Sequence, residues 1–228
     1  MAMLVEKPTR CTFIHIPKNA GSSIREWLVQ NHVCTSSKRW HSGVKQTRDR
    51  LGNLGVTYCV VRNPFDWCVS WYEFMIRRAA RRVEYILNNP HVQNIKKGSG
   101  ITPKKYCLHS NQRIISMAQA FSYKDGDLAP VIRPSKAFRL FLKDKSMFGG
   151  EAGMKPQHSW AKECDIILRF ETINRDFEQI QEMLGCKEPL GLYNSSNRMN
   201  YKEYYDDESI DIVKNIYKKD IKMFGYRF

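Results

Sequence analysis

The sequence predicts an α/β protein in which helices cover a parallel sheet, because one pattern recurs three times along the chain. An apolar run at Thr12–Ile16 leads into Ile24, Trp27 and Leu28 at helical spacing. A second run, Val56–Val61, leads into Phe65, Val69, Tyr72 and Ile76. A third, Asp165–Phe170, leads into Phe177, Ile180 and Leu184. Short β-branched runs suit buried strands, and recurrence at three and four residues suits amphipathic helices.

The elements follow in order. Thr12–Ile16 is a buried strand, and the polar turn after it enters a helix that Ser22 or Ser23 is placed to cap. Val56–Val61 runs into Arg62-Asn63-Pro64, where Asn63 can cap the next helix and Pro64 occupies its first position. From about Asn88 to Trp160 the pattern weakens: Asn89-Pro90, Gly98-Ser-Gly100, Gly126, Pro130, Pro134 and Gly149-Gly150 break it into short helices and loops. Residues 88–160 are therefore read as an insertion within a single domain spanning 1–228. After the third strand and its helix, Gly185 makes a stop. One last long helix starts near Asp207, keeps Ile210, Val213, Tyr217, Ile221 and Phe224 on one face, and ends at Gly225.

At 228 residues with 42% hydrophobic residues, the chain can bury a core and is not a disordered composition. Lys plus Arg (37) against Asp plus Glu (23) leaves +14, which points to a polyanionic partner. A merely soluble basic surface accounts for such a value too. Seven cysteines without a Cys-x-x-Cys pair, three of them in apolar segments, suit buried thiols in a reducing compartment rather than a disulfide scaffold. No stretch spans a membrane by length and apolarity, and Met1-Ala-Met-Leu-Val-Glu-Lys7 lacks a signal-peptide apolar region, so a soluble chain is expected.

Two loops carry chemistry. In Ile16-Pro-Lys-Asn-Ala-Gly-Ser-Ser23 a strand end, a tight turn and a helix start converge backbone N–H groups on one point, and Lys18 adds a full charge. This is not a Walker A loop, because Lys18 precedes Gly21 and no Gly-Lys-Ser/Thr order occurs. In Val61-Arg-Asn-Pro-Phe-Asp-Trp-Cys-Val-Ser70, Arg62 can bind a phosphate bidentately and Ser70 adds a hydroxyl donor. Both loops lie past strand ends, where open α/β sheets bind ligands. Two separated anion sites imply a nucleoside with phosphates at both ends.

These residues resemble sulfotransferases that use 3′-phosphoadenosine 5′-phosphosulfate (PAPS). The first loop is similar to their 5′-phosphosulfate loop, and Val61 to Ser70 looks like their 3′-phosphate motif. The likeness is to the carbohydrate branch, including heparan sulfate 2-O-sulfotransferase and its bacterial and viral relatives. It extends to Arg169-Phe-Glu171, Asp176-Phe177, Asn194-Ser-Ser196, Tyr201-Lys-Glu-Tyr-Tyr-Asp-Asp207 and Asp220 to Phe228, leaving the middle unmatched.

The resemblance implies a three-layer, P-loop-nucleotide-kinase-like fold and transfer of a sulfuryl group from PAPS to a hydroxyl, releasing adenosine 3′,5′-bisphosphate (PAP). It implies that Lys18 stabilises charge on the leaving phosphate. Asn19, Ala20, Gly21, Ser22 and Ser23 would cradle the 5′-phosphosulfate, and Arg62 and Ser70 would hold the 3′-phosphate. Asn19 stands where threonine is common, and Trp67 where arginine is frequent. Arg198 and Tyr201 fall in a segment that closes over the nucleotide in related enzymes. The insertion would shape the acceptor site. A Golgi-type relative sits behind a membrane anchor, so the Golgi lumen is the expected place if an anchor has been removed; otherwise the cytoplasm is.

Such a reaction needs a base that is neutral near pH 7, which favours histidine. His41, in Lys38-Arg-Trp-His-Ser42, is the candidate: it lies between the two motifs, where the resembling enzymes place a catalytic histidine. His15 reads as a structural histidine within the first strand; His32 follows the first helix and His91 reads as solvated. His109 and His158 fall in the unmatched middle, with His158 a candidate to face the acceptor. Arg77 with Arg81, and Arg78 with Arg82, make a basic helix face that Lys96, Lys97, Lys104 and Lys105 extend toward an acidic glycan acceptor. A solvated helix face is the plainer account of it. No set of metal ligands stands out. Two rivals remain: a kinase of the same architecture, and a basic module that binds glycan or nucleic acid without catalysis.

Overall fold

A computed structural model describes residues 2–5, 11–31, 35–36, 41–88, 121–124, 127–130, 134–144, 154–191 and 198–228. Its strands are β1 (Ala2–Val5), β2 (Cys11–Ile14), β3 (Thr35–Ser36), β4 (Val56–Val61), β5 (Phe121–Lys124), β6 (Asp127–Pro130) and β7 (Ile166–Arg169). Its helices are α1 (Gly21–Gln30), α2 (Val44–Leu51), α3 (Pro64–Asn88), α4 (Pro134–Lys143), α5 (His158–Ala161), α6 (Ile173–Leu184), α7 (Asp207–Ile216) and α8 (Lys218–Phe224).

The main sheet runs β3-β1-β2-β4-β7. Its centre is the expected parallel set: β4 pairs in parallel with β2 (Phe13 opposite Tyr58) and with β7 (Val60 opposite Leu168). Side chains alternate between the two faces, as the strand period requires. Phe13, Tyr58, Val60 and Leu168 meet Ile24, Trp27 and Leu28 of α1 and Phe177, Ile180 and Leu184 of α6. Ile14, Cys59 and Val61 face the other way, onto Val44 of α2, Trp160 and Ala161 of α5, and Phe224 of α8. Helices thus cover both faces, giving three layers. A third cluster joins Phe65, Val69 and Tyr72 of α3 to Phe138 and Phe141 of α4 and to Val213 and Tyr217.

The structure departs from the sequence reading in several places. β1 and β3 add an antiparallel edge to the parallel centre. β2 stops at Ile14 rather than Ile16, because the Asn19 side chain, not a continuing strand, takes the carbonyl of Val60 at 2.7 Å. Neither Ser22 nor Ser23 caps α1: the helix begins at Gly21, straight after a left-handed Ala20. The last helix is two, α7 and α8, parted at Tyr217, whose hydroxyl reaches the Met154 carbonyl at 2.8 Å. Within the insertion, β5 and β6 pair antiparallel with Lys124 opposite Asp127, where loops and short helices are expected. Asn63 does cap α3, accepting from the Phe65 N–H at 3.1 Å, and Gly185 and Gly225 end their helices in left-handed conformation. Of the cysteines, Cys11, Cys59 and Cys68 are buried free thiols, while Cys34 and Cys107 lie outside the described residues. Among the described residues, no helix is long and apolar enough to cross a membrane.

Candidate active site

The loop after β2 is held in an unusual shape. Lys18 (φ 68°) and Ala20 (φ 54°) are both left-handed, with Asn19 between them on the ordinary side. For residues with a Cβ each such turn costs on the order of 1 kcal/mol, so the surroundings must impose it. They do so at three points. Trp67 of α3 donates its indole N–H to the Pro17 carbonyl at 2.7 Å. Arg62, at the end of β4, donates from Nη1 to the Lys18 carbonyl at 3.1 Å. Asn19, fully buried, donates from Nδ2 to Val60 and to Gln157 Oε1, both at 2.7 Å. Alternating handedness of this kind turns backbone N–H groups toward one point, the geometry of an anion nest.

Gln157 fastens the two strand ends together. Its Oε1 also accepts from the Arg62 N–H (2.9 Å), and its Nε2 donates to the Arg62 carbonyl (2.8 Å). Gln157 is itself anchored by Asp220 of α8, a fully buried carboxylate that accepts from the backbone N–H groups of Gln157 (2.7 Å) and His158 (2.8 Å). His158 points its Nδ1 at the same carboxylate, 2.6 Å away. None of Trp67, Gln157 and Asp220 stands out as a functional residue in the sequence. A signal for Asp220 exists: it lies three residues after Tyr217 and four before Phe224, an acid on an apolar face.

Positive charge gathers around the loop. The Lys18 ammonium lies 4.5 Å from the centre of the Phe74 ring. Burial, then the charges of Arg62, Arg77 and Arg198, lowers the Lys18 pKa to about 8. Arg62 is buried, stacks on Phe170 (3.9 Å to the ring centre) and pairs with Asp66 through Nε (2.7 Å) and Nη2 (2.6 Å). Arg198 pairs through Nη2 with the other oxygen of Asp66, and its Nη1 is buried with no hydrogen-bond partner among the described residues. Ser70 is buried one turn beyond Asp66 on α3. Tyr201 stands in a short 3-10 turn, where burial and then the carboxylates of Asp66 and Glu171 raise its pKa. The structure therefore gathers Lys18, Arg62 and Arg198 at one corner of the sheet, with Arg77 within electrostatic reach.

Fold and corner together accord with a family model, that of the sulfotransferases, which matches residues 1–227. The chain belongs to the sulfotransferase family. No curated protein and no solved structure gives a match. As a member it is an enzyme of sulfuryl transfer.

His15 and His41 form a pair beside the loop. His15 lies just past the end of β2, with its ring stacked on Phe13 (5.7 Å) and 4.8 Å from the ring of His41. His41 Nδ1 lies 3.5 Å from the His15 backbone carbonyl. Burial lowers the pKa of both, with His41 and Lys18 among the charges that add to the effect on His15. His15 also explains Gly21. A Cβ on Gly21 would fall 1.9 Å from His15 Nε2, so the helix can start here only without a side chain. Of the basic face, Arg77 is half-buried and Arg78 exposed, while Lys96, Lys97, Lys104 and Lys105 lie outside the described residues, as do His32, His91 and His109.

Proposed function

We propose that this enzyme is a PAPS-dependent sulfotransferase acting on a carbohydrate hydroxyl. The observation that carries the reading is the convergence of a clamped loop, Lys18, Arg62 and Arg198 on one corner, with the buried Nη1 of Arg198 lacking a partner. An orphaned guanidinium donor beside a basic loop fits a nucleotide with anionic groups at both ends. When bound, PAPS supplies an activated sulfuryl group on a phosphate that is a good leaving group.

Each residue then has a role. Backbone N–H groups from Asn19 to Ser23, with the hydroxyls of Ser22 and Ser23, receive the 5′ end. The Nδ2 donors of Asn19 are spent on Val60 and Gln157, and its Oδ1 can only accept, so toward an anion Asn19 serves through its backbone. Lys18 neutralises charge that collects on the leaving oxygen. Arg62, Arg198 and Ser70 receive the 3′-phosphate, and Tyr201 closes beside them. His41 takes the proton from the attacking hydroxyl. A backbone carbonyl only accepts, so the His15 carbonyl keeps the proton on His41 Nδ1 and leaves Nε2 as the base. A lowered pKa keeps that imidazole neutral near pH 7. The basic residues Arg77 and Arg78 on α3 favour an acidic glycan as acceptor.

The kinase alternative is weaker, because Asp66, the carboxylate between Arg62 and Arg198, is engaged by both arginines rather than presented to a magnesium ion. The test is transfer of label from PAPS to a panel of neutral, carboxylated and sulfated oligosaccharides, phenols and tyrosine peptides. His41→Ala should lower transfer by about 10²–10⁴-fold and leave PAP affinity within about twofold. Label transferred only to phenols or peptides overturns the carbohydrate reading, and full activity of His41→Ala overturns the base.

A further inference from the structure

Asp66 sits in the first turn of α3, where an acid ordinarily answers the helix dipole. Its carboxylate does something else here. One oxygen receives Nε and Nη2 of Arg62, at 2.7 and 2.6 Å, and the other receives Nη2 of Arg198. The three side chains are 7%, 16% and 12% exposed, so the pairing takes place largely out of water. Arg62 comes from the end of β4, while Arg198 comes from the segment before the Tyr201–Tyr204 turn; the two are far apart in the chain. A single carboxylate bridges them.

The donor inventory shows what is left over. Of the five N–H groups of Arg62, Nε and one on Nη2 serve Asp66, and one on Nη1 serves the Lys18 carbonyl. Its flat face is taken by Phe170. Arg62 is thus a largely committed strut, whereas Arg198 keeps both N–H groups of Nη1 buried and free of partners among the described residues. We infer that Asp66 is the positioning residue for 3′-phosphate recognition: it locks Arg62 in place and, through its second oxygen, aims the free Nη1 of Arg198 at the phosphate. This inference rests on the PAPS reading above. Two guanidinium groups around one carboxylate leave one net positive charge, enough to attract a phosphate without the mutual repulsion of two bare arginines.

Replacing Asp66 by asparagine has two opposed effects. It removes a negative charge that repels phosphate, which strengthens binding. It also leaves one acceptor oxygen and one donor amide, so only one arginine can be held and the other is released. Geometry dominates in a site this enclosed, because a charge-assisted bond depends on its donor being aimed.

The experiment compares two nucleotides on the same protein by calorimetry: PAP, and adenosine 5′-monophosphate, which lacks the 3′-phosphate. The ratio of their affinities is independent of the fraction of protein that is folded. Wild type should prefer PAP on the order of 100-fold, from two charge-assisted bonds. Asp66→Asn should cut the preference below about tenfold, with the loss in PAP affinity, and Asp66→Glu should restore part of it. An unchanged or increased preference in Asp66→Asn overturns the role given to Asp66. A wild-type protein that binds both nucleotides equally overturns the 3′-site reading beneath it, which separates the two failures.

Discussion

Gly21→Ala inverts an ordinary expectation. At a helix position alanine is usually better than glycine by up to about 1 kcal/mol. Here the added Cβ would lie 1.9 Å from His15 Nε2, against a 3.0 Å limit that real Cβ atoms respect, so the imidazole must retreat by more than 1 Å. Its ring is lodged between Phe13 (5.7 Å) and His41 (4.8 Å), so the retreat disturbs one of them. Overpacking of this kind costs about 1–3 kcal/mol and outweighs the propensity gain. Thermal unfolding should therefore fall by about 2–8 °C. Because the His15 carbonyl also holds His41 Nδ1, transfer activity should fall by on the order of 10²-fold, the usual cost of misplacing a reacting group by about 1 Å. The assay is a double-mutant cycle in thermal or urea unfolding. With His15→Ala in place the space opens, and Gly21→Ala should become neutral or stabilising, a coupling of about 1–3 kcal/mol. Equal effects in the two backgrounds, or a Gly21→Ala protein as stable as wild type while His15 is present, would show that the two side chains do not compete for this space.

Three further outcomes follow from the same geometry. The Lys18 pKa in the free protein is about 8, below its ordinary 10.5, so an arriving phosphate raises it and binding of PAP at pH 8.5–9 should take up protons, read by calorimetry in buffers of different ionisation heat; affinity should fall as pH rises through that range. Unfolded chains bind more protons than folded ones between about pH 8 and 10.5, so the penalty Lys18 imposes is full below pH 8 and fades above it, and Lys18→Met should stabilise the free protein at pH 7 while weakening PAP; a destabilised Lys18→Met protein contradicts this. Gln157→Leu strands the Asn19 amide and both backbone groups of Arg62, which should cost about 3 kcal/mol or more, lower the melting temperature by about 6–12 °C and weaken PAP at least tenfold; an unaltered PAP affinity contradicts the part given to Gln157.

The parts of the fold written by local pattern are the parts legible in the sequence. Phe13 and Ile14, like Tyr58 and Cys59, face opposite layers because strand side chains alternate, and that shows as unbroken apolar runs. Asn63-Pro64 and Gly185 announce helix ends by chemistry that acts within a few residues. β3 has two residues and gains its place only by pairing with β1, so nothing local marks it. Tyr217 parts α7 from α8 by reaching Met154, a contact 63 residues away. The site divides in the same manner. Lys18, Gly21 and Arg62 are visible as motif residues, while Gln157, Trp67 and Asp66 act through partners that only folding supplies. His15 reads as a strand histidine because the strand end is set by the Asn19 amide taking the Val60 carbonyl, a long-range bond.

A grip on a nucleotide that is anionic at both ends can be read by titrating PAP against ATP, each with and without magnesium. PAP should bind tightly and independently of magnesium, ATP far more weakly, and Arg198→Ala and Arg62→Ala should each weaken PAP. A preference for ATP with magnesium, or PAP affinity unchanged by loss of either arginine, would contradict it.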